Sequence, residues 1–240
     1  MYSRELDGKT YTFGVSGKLW RDALVMYDHQ TRTLWSHITG EAIEGALKGK
    51  RLTVLSSMPR IAWKEWKQHY PETKVLSVSY GPRHQEQRME ERRRDNYAHY
   101  HASPETGISG TEYTDARLEN KALVVGVRIN DNTYHAYPFA HFEGKPVLND
   151  QVDELPVLAF RDANSQATSV FLRTVDGQPL TFEATSGYYA KDTQTGTRWN
   201  LITGEAVEGE LKGKHLERLP SVNVYWFAWA RYYPETTVHE

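Results

Sequence analysis

The chain has no cysteine among its 240 residues, which excludes disulfides, thiolate metal sites and cysteine nucleophiles. No apolar run approaches the roughly 18 residues of a membrane-spanning helix, and no signal-peptide pattern precedes Asp7. Nor is there an excess of charge of one sign. Against 29 basic side chains stand 31 acidic ones, and the net charge of −2 argues against a dedicated nucleic-acid binder. What the sequence does have is aromatic side chains, 12% of the total with seven tryptophans. Disordered chains are poor in these, so the composition describes a folded globular protein with a polar surface. Its length suits one large domain or two small ones.

An internal repeat organises the chain. Residues 28–55 (DHQTRTLWSHITGEAIEGALKGKRLTVL) and 192–219 (DTQTGTRWNLITGEAVEGELKGKHLERL) are identical at 18 of 28 positions without a gap. DGKTYTF at 7–13 answers DGQPLTF at 176–182, and Trp63, Trp66 and YPET at 70–73 answer Trp226, Trp229 and YPET at 233–236. Thr10–Val15 and Leu24–Asp28 read as strands. Asp192–Gly196 reads as a hairpin turn in which Asp caps backbone amides and Gly supplies a positive φ. Arg32 stands in place of that glycine in the first copy, so its turn must adapt or carry mild strain. Trp35 and Trp199 fall on the return strand and face inward. A helix ended by Pro71 or Pro234 closes each unit, its tryptophans at i and i+3 sharing one face. The expectation is that Trp63 and Trp226 are buried on their own lobes' sheets, beside Trp35 and Trp199.

Residues 80–118 differ in kind. Arg83–Arg94 mixes arginine with glutamate, and a turn-rich stretch follows, as in a charged connector. Strand patterns resume at Ala122–Ile129, Thr133–Tyr137, Leu155–Phe160 and Ser169–Thr174. The reading is a β-rich α+β protein of two related lobes of short antiparallel strands, each closed by one Trp-bearing helix. Residues 1–79 form the first lobe, 80–118 the connector and 119–240 the second lobe. About 57 residues (119–175) precede the repeat in the second lobe and only six in the first. The first lobe is therefore expected to have an open edge beside Tyr11–Phe13, or to be completed by the connector, a partner chain or an upstream segment.

The run TFGVSGKLW at 12–20, with LVMYD, TLW and TGEAIEG after it, resembles the bacterial family catalogued as domain of unknown function 3179. VVGVRI at 124–129, AYPF, VLND, VDELPVLAF and WFAWA at 226–230 fit as well, so the resemblance covers nearly the whole chain. It implies no established activity. It does imply an upstream segment with a Y-C-P-L motif before the DG…F strand, which this sequence lacks. The expectation is therefore a truncated first lobe, unable to perform any thiolate chemistry the family has.

Several constellations invite chemistry. Gly45–Arg51 falls one residue short of a phosphate loop and recurs as a turn in the second copy. Gly14-Val-Ser-Gly17 lacks the spacing of a nucleophile elbow. The phrase MYDHQTRTLW resembles a propeller blade motif, but two copies 164 residues apart make no propeller. His99 and His101, with His84 nearby, would share one face of a strand at a spacing usable by a metal; the plainer reading is solvent-exposed histidines. Glu41 with Glu44, and Glu205 with Glu208, could act as acid and base, yet recurrence in turn-rich segments favours ion pairing to the nearby lysines. Trp63, Trp66, Trp226 and Trp229 could form an aromatic platform, but core packing with Trp35 and Trp199 is the simpler role. The arginine run 88–94 could hold an anion, although interspersed glutamates favour a solvated face.

Two functional classes follow. One is a non-catalytic ligand- or partner-binding module with its site in the interlobe cleft, drawing on His99, His101, Arg92, Arg94 and Asp95. It would work outside the cytoplasm if the chain starts downstream of its native beginning. The other is a metal- or acid/base-dependent enzyme whose site needs the upstream segment. Convergence of these histidines, arginines and Asp95 with buried acids in one pocket would separate the two. The sequence names no cofactor, substrate or oligomeric state.

Overall fold

The period-two patterns read from the sequence become strands in a computed structural model that describes residues 1–55, 61–75, 97–106 and 114–240. A small hairpin, β1 (Glu5–Leu6) with β2 (Lys9–Thr10), leads into an antiparallel meander. The meander comprises β3 (Phe13–Trp20), β4 (Ala23–Asp28), β5 (Leu34–Ser36) and β6 (Ala42–Glu44). Helices α1 (Trp63–His69) and α2 (Ala98–Ala102) follow. Then come β7 (Leu123–Arg128), β8 (Tyr134–Pro138), a 3-10 turn at Phe139–Phe142, β9 (Val147–Val152), β10 (Leu155–Arg161) and β11 (Thr168–Leu172). The hairpin recurs as β12 (Thr174–Val175) and β13 (Gln178–Pro179). The meander recurs as β14 (Phe182–Ala184), β15 (Tyr189–Asp192), β16 (Arg198–Asn200) and β17 (Glu205–Glu208). The chain ends with β18 (Ser221–Tyr225), α3 (Trp226–Tyr232) and β19 (Thr237–Val238).

The two meanders share strand order and register, as the repeat predicts. Phe13 opposite Asp28 answers Phe182 opposite Asp192, and both sheets carry a bulge just before the inward tryptophan, Trp35 or Trp199. Two further sheets fill the middle of the molecule, β9-β10-β11 and β18-β7-β8-β19, with β19 parallel to β8. Their facing sides bury Val125, Val127, Tyr137, Leu148, Val152 and Val157 in one cluster.

One buried carboxylate shapes each meander. Asp192 Oδ1 accepts the Thr195 amide at 2.6 Å and the Thr195 hydroxyl at 3.0 Å, while Oδ2 accepts the Trp199 indole N–H at 2.9 Å. Asp28, Thr31 and Trp35 repeat the arrangement, again with 2.9 Å to the indole. Both Asp residues and both tryptophans are buried. Burial alone would raise the Asp28 carboxyl, but its bonds from Trp35, Thr31 and Thr33 outweigh this and hold it below the usual carboxylate range. The expected strain at Arg32 takes a definite form: it sits at φ +62°, where Gly196 sits at +71° in the second copy. Its guanidinium lies 4.3 Å over the Tyr27 ring, which offsets part of that cost.

One of the two tryptophan helices departs from the sequence expectation. Each tryptophan helix was expected on its own lobe's sheet, but α1 leans on the second meander. Trp66 packs against the cluster that holds Trp199 and Phe171, the Ala62 amide donates to Ser165 O at 2.8 Å, and Tyr70 approaches Asn200. Conversely, α3 reaches the first meander: the Tyr232 hydroxyl donates to Trp20 O at 2.5 Å, Arg231 pairs with Asp22, and Tyr232 approaches Ser36. Ser36 and Asn200 are equivalent positions of the repeat, so the exchange is reciprocal. Trp226 is buried on its own lobe's sheet, as expected, but with Trp229 and Ala230 against Val124 and Ala136 rather than beside Trp199. Trp63 is not a core residue at all. It is 50% exposed, because Trp66 one turn later takes the contact with the sheet. Trp66 and Trp229 each donate an indole N–H to the threonine of their YPET sequence, Thr73 at 3.0 Å and Thr236 at 2.9 Å.

The asymmetry before the repeats has a structural counterpart. In the second copy Asn149 of β9 pairs its side-chain amide with both the N–H and the C=O of Phe182 at 2.8 Å, joining β14 to the middle sheets. In the first copy β3 is an outer strand, with Val15 and Leu19 exposed and a bulge between them. Among the described residues no strand other than β4 pairs with it.

Two substitutions test this packing. Asp192→Ala leaves the Trp199 N–H buried without an acceptor and is expected to cost about 3 kcal/mol; a loss below about 1 kcal/mol in urea unfolding would refute the role given to this carboxylate. At Gly126 an added Cβ would lie 2.3 Å from the Trp229 ring. Gly126→Ala is therefore expected to destabilise by about 2 kcal/mol or more, read from the same unfolding curves.

Candidate metal centre

Strand alternation sets up the site. On β8, Tyr134 and Ala136 face α3, while His135 and Tyr137 point the other way, toward β9. On β9, Asp150 shares a face with the buried Leu148 and Val152. The parallel pairing of β19 places Thr237 beside His135 and Val238 beside Ala136, and the His239 amide donates to Ala136 O at 2.9 Å. Three strands from two sheets thus bring His135, Asp150 and His239 together, one ligand atom from each lying within 4.8 Å of the others. Among the described residues this is the only such group of three or more.

The groups around the cluster set its charges. Thr237 Oγ1 lies 2.6 Å from His135 Nδ1, accepting from it or donating to it according to which ring nitrogen carries the proton. His135 Nε2 is the ring's other nitrogen. It is buried, makes no hydrogen bond, and sits 3.5 Å from Asp150 Oδ2. Protonation would make this an ion pair, but burial, only partly countered by Asp150, pushes the His135 pKa down to about 4. At neutral pH the ring is therefore uncharged beside the carboxylate, and no ion pair forms between them. Asp150 is ionised: burial would raise its carboxyl, but the Gln151 amide at 2.8 Å and the Tyr137 hydroxyl at 3.0 Å hold it below the usual range. His239 Nδ1 lies 3.1 Å from the same Oδ2. Burial, then Asp150, push the Tyr137 phenol far above its ordinary value, so it remains a donor.

This arrangement suits a cation. Two imidazoles and a carboxylate form a donor set for first-row divalent ions such as zinc. Thr237 on His135, and Tyr137 and Gln151 on Asp150, occupy the supporting positions that orient metal ligands.

The sites expected from sequence lie elsewhere. His99 and His101 sit on α2, a helix, where residues two apart point in nearly opposite directions; the shared strand face expected for them does not exist. His101 Nδ1 instead meets the Tyr225 hydroxyl at 2.7 Å, and His99 is exposed. Arg92, Arg94, Asp95, His84 and the arginine run 88–94 lie outside the described residues. Glu41 pairs with Arg51 at 3.5 Å, a surface ion pair as expected, though with arginine rather than lysine. A cavity of about 320 Å³ lies between Leu24, His37 and Ile38 of the first meander and Val224, Tyr225 and Trp229. It is largely apolar, its Asp22 is paired to Arg231, and none of the three cluster residues lines it.

A family model described as Protein of unknown function (DUF3179) matches residues 1–236. The chain belongs to the DUF3179 family. No curated protein and no solved structure matches this DUF3179 protein. Among its described residues no helix is long and apolar enough to cross a membrane.

Because His135 takes up its proton near pH 4 when folded and near 6.5 when unfolded, the unfolded state binds more protons between those values. Stability of the metal-free protein is expected to fall by up to about 3 kcal/mol as pH drops from 6.5 to 4. His135→Gln should flatten that slope. An unchanged slope in denaturant titrations at pH 6.5, 5.5 and 4.5 would contradict the buried neutral state.

Proposed function

We propose that this DUF3179 protein is a metal-binding module that holds one divalent first-row ion, zinc foremost, between His135, Asp150 and His239. The observation that carries the reading is His135 Nε2, a buried ring nitrogen without a hydrogen bond, 3.5 Å from an ionised carboxylate. Burial disfavours a charged imidazolium there, whereas a divalent cation satisfies the ring nitrogen and the carboxylate together. His239 completes the set by exchanging the Nδ1 contact with Asp150 for the ion, its ring proton then sitting on Nε2. The reading keeps the non-catalytic binding class anticipated from sequence but moves its site from the interlobe cleft to the rim between the two middle sheets.

Zinc added to the chelator-stripped protein is expected to bind at one ion per chain by metal analysis after desalting. It should also raise the melting temperature, since free ion at 100 times Kd stabilises by about 2.7 kcal/mol. His135→Ala and Asp150→Ala should each abolish retention. If the wild-type chain retains no zinc and its melting temperature is unmoved, the proposal fails.

A further inference from the structure

Three protein ligands with an open fourth position would make the ion available to a substrate. The surroundings of the cluster point to a fourth ligand instead. Immediately after β8 the chain forms the 3-10 turn Phe139–Phe142, which carries His141. The turn is anchored on both sides: Phe142 is buried in the core, and the Arg161 guanidinium lies 4.3 Å over the Phe139 ring. His141 is half-buried, has no hydrogen bond among the described residues, and meets only the ring of His239, with centroids 5.7 Å apart. The ligand pair His135 and His239 has a centroid separation of 6.3 Å. Two imidazoles on one tetrahedral ion, with metal–nitrogen bonds near 2.0 Å, hold their ring centroids about 5 Å apart. His141 is thus no farther from His239 than the other histidine of the cluster.

We infer that His141 is the fourth ligand, so that the ion is enclosed by three imidazoles and one carboxylate and is held rather than offered to a substrate. The inference rests on the metal reading above. In the orientation described, the His141 nitrogens lie outside the group within 4.8 Å, so ligation requires a rotation of the side chain, which no hydrogen bond restrains. With four protein donors the site has the filled tetrahedron of a structural centre and no place for a reacting water. Bound there, the ion ties four segments together, namely β8, the turn that follows it, β9 and the residue after β19. The two-residue strand β19 would gain most from such a tie.

Cobalt(II) reconstitution of the full chain tests this, because four-coordinate cobalt gives an intense visible ligand-field band and azide reports an open coordination position. The wild-type protein is expected to bind one cobalt with that band, unaltered by azide. His141→Ala should bind cobalt at least about tenfold more weakly, with a band that azide perturbs. His141→Ala matching wild type in affinity and spectrum, or azide perturbing both proteins alike, would overturn the fourth-ligand inference alone. Failure of the wild-type chain to bind cobalt would overturn the metal reading with it. A melting temperature for metal-free His141→Ala equal to that of wild type shows that any loss of affinity is not a loss of folding.

Discussion

The bond from a buried indole N–H to a buried aspartate is the constraint around which both meanders are built. A carboxylate removed from water must be surrounded by donors, and Asp28 and Asp192 obtain them only if the next turn closes so that a threonine amide and hydroxyl point back. The same closure swings Trp35 or Trp199 onto the inner face, seven residues from its acceptor. Turn, strand pairing and core are therefore specified by one local set, D-x-Q-T-x-T-x-W. That set persists between two copies whose surfaces differ, and in the first copy an arginine takes up left-handed geometry rather than break it.

This locality explains how much could be read from the chain. The meanders, their order and their inward tryptophans follow from neighbouring residues, and so they were legible. The helices were legible as helices, since Trp66 and Trp229 recur before a YPET stop, but their partners were not. An apolar face states that something will cover it and is silent on whether the cover comes from the same copy or the other. Trp63 shows the limit most clearly: spacing put it on the packed face, yet it stands exposed while Trp66 packs against the core. His99 and His101 failed for a related reason, because a five-residue polar segment carries too little periodicity to distinguish strand from helix.

The histidine–aspartate cluster was hidden by topology. Its members stand on β8, on β9 and after β19, and residue 239 meets residue 150 only because β19 runs parallel to β8. One local sign existed. The segment 133–137 reads as a strand, and His135 falls on the same side as Tyr137, the side that becomes core. A histidine on the inward face of a strand must find a partner for each ring nitrogen, and here Thr237 serves only one of them.

The reciprocal helices also set how this molecule must come apart. In an array of stacked repeats each unit answers only to its neighbours, and one end can fray while the other stands. Here α1 covers the later sheet and α3 grips the earlier one, so unfolding either copy strips a helix contact from its twin. The duplicated halves are consequently interlocked, and their stabilities are shared rather than summed. Contacts such as Tyr232 with Trp20 span 212 residues, which places a large loop-closure cost before any reward. A chain built from two copies of one motif thereby acquires the slow, all-or-none folding of a single large domain.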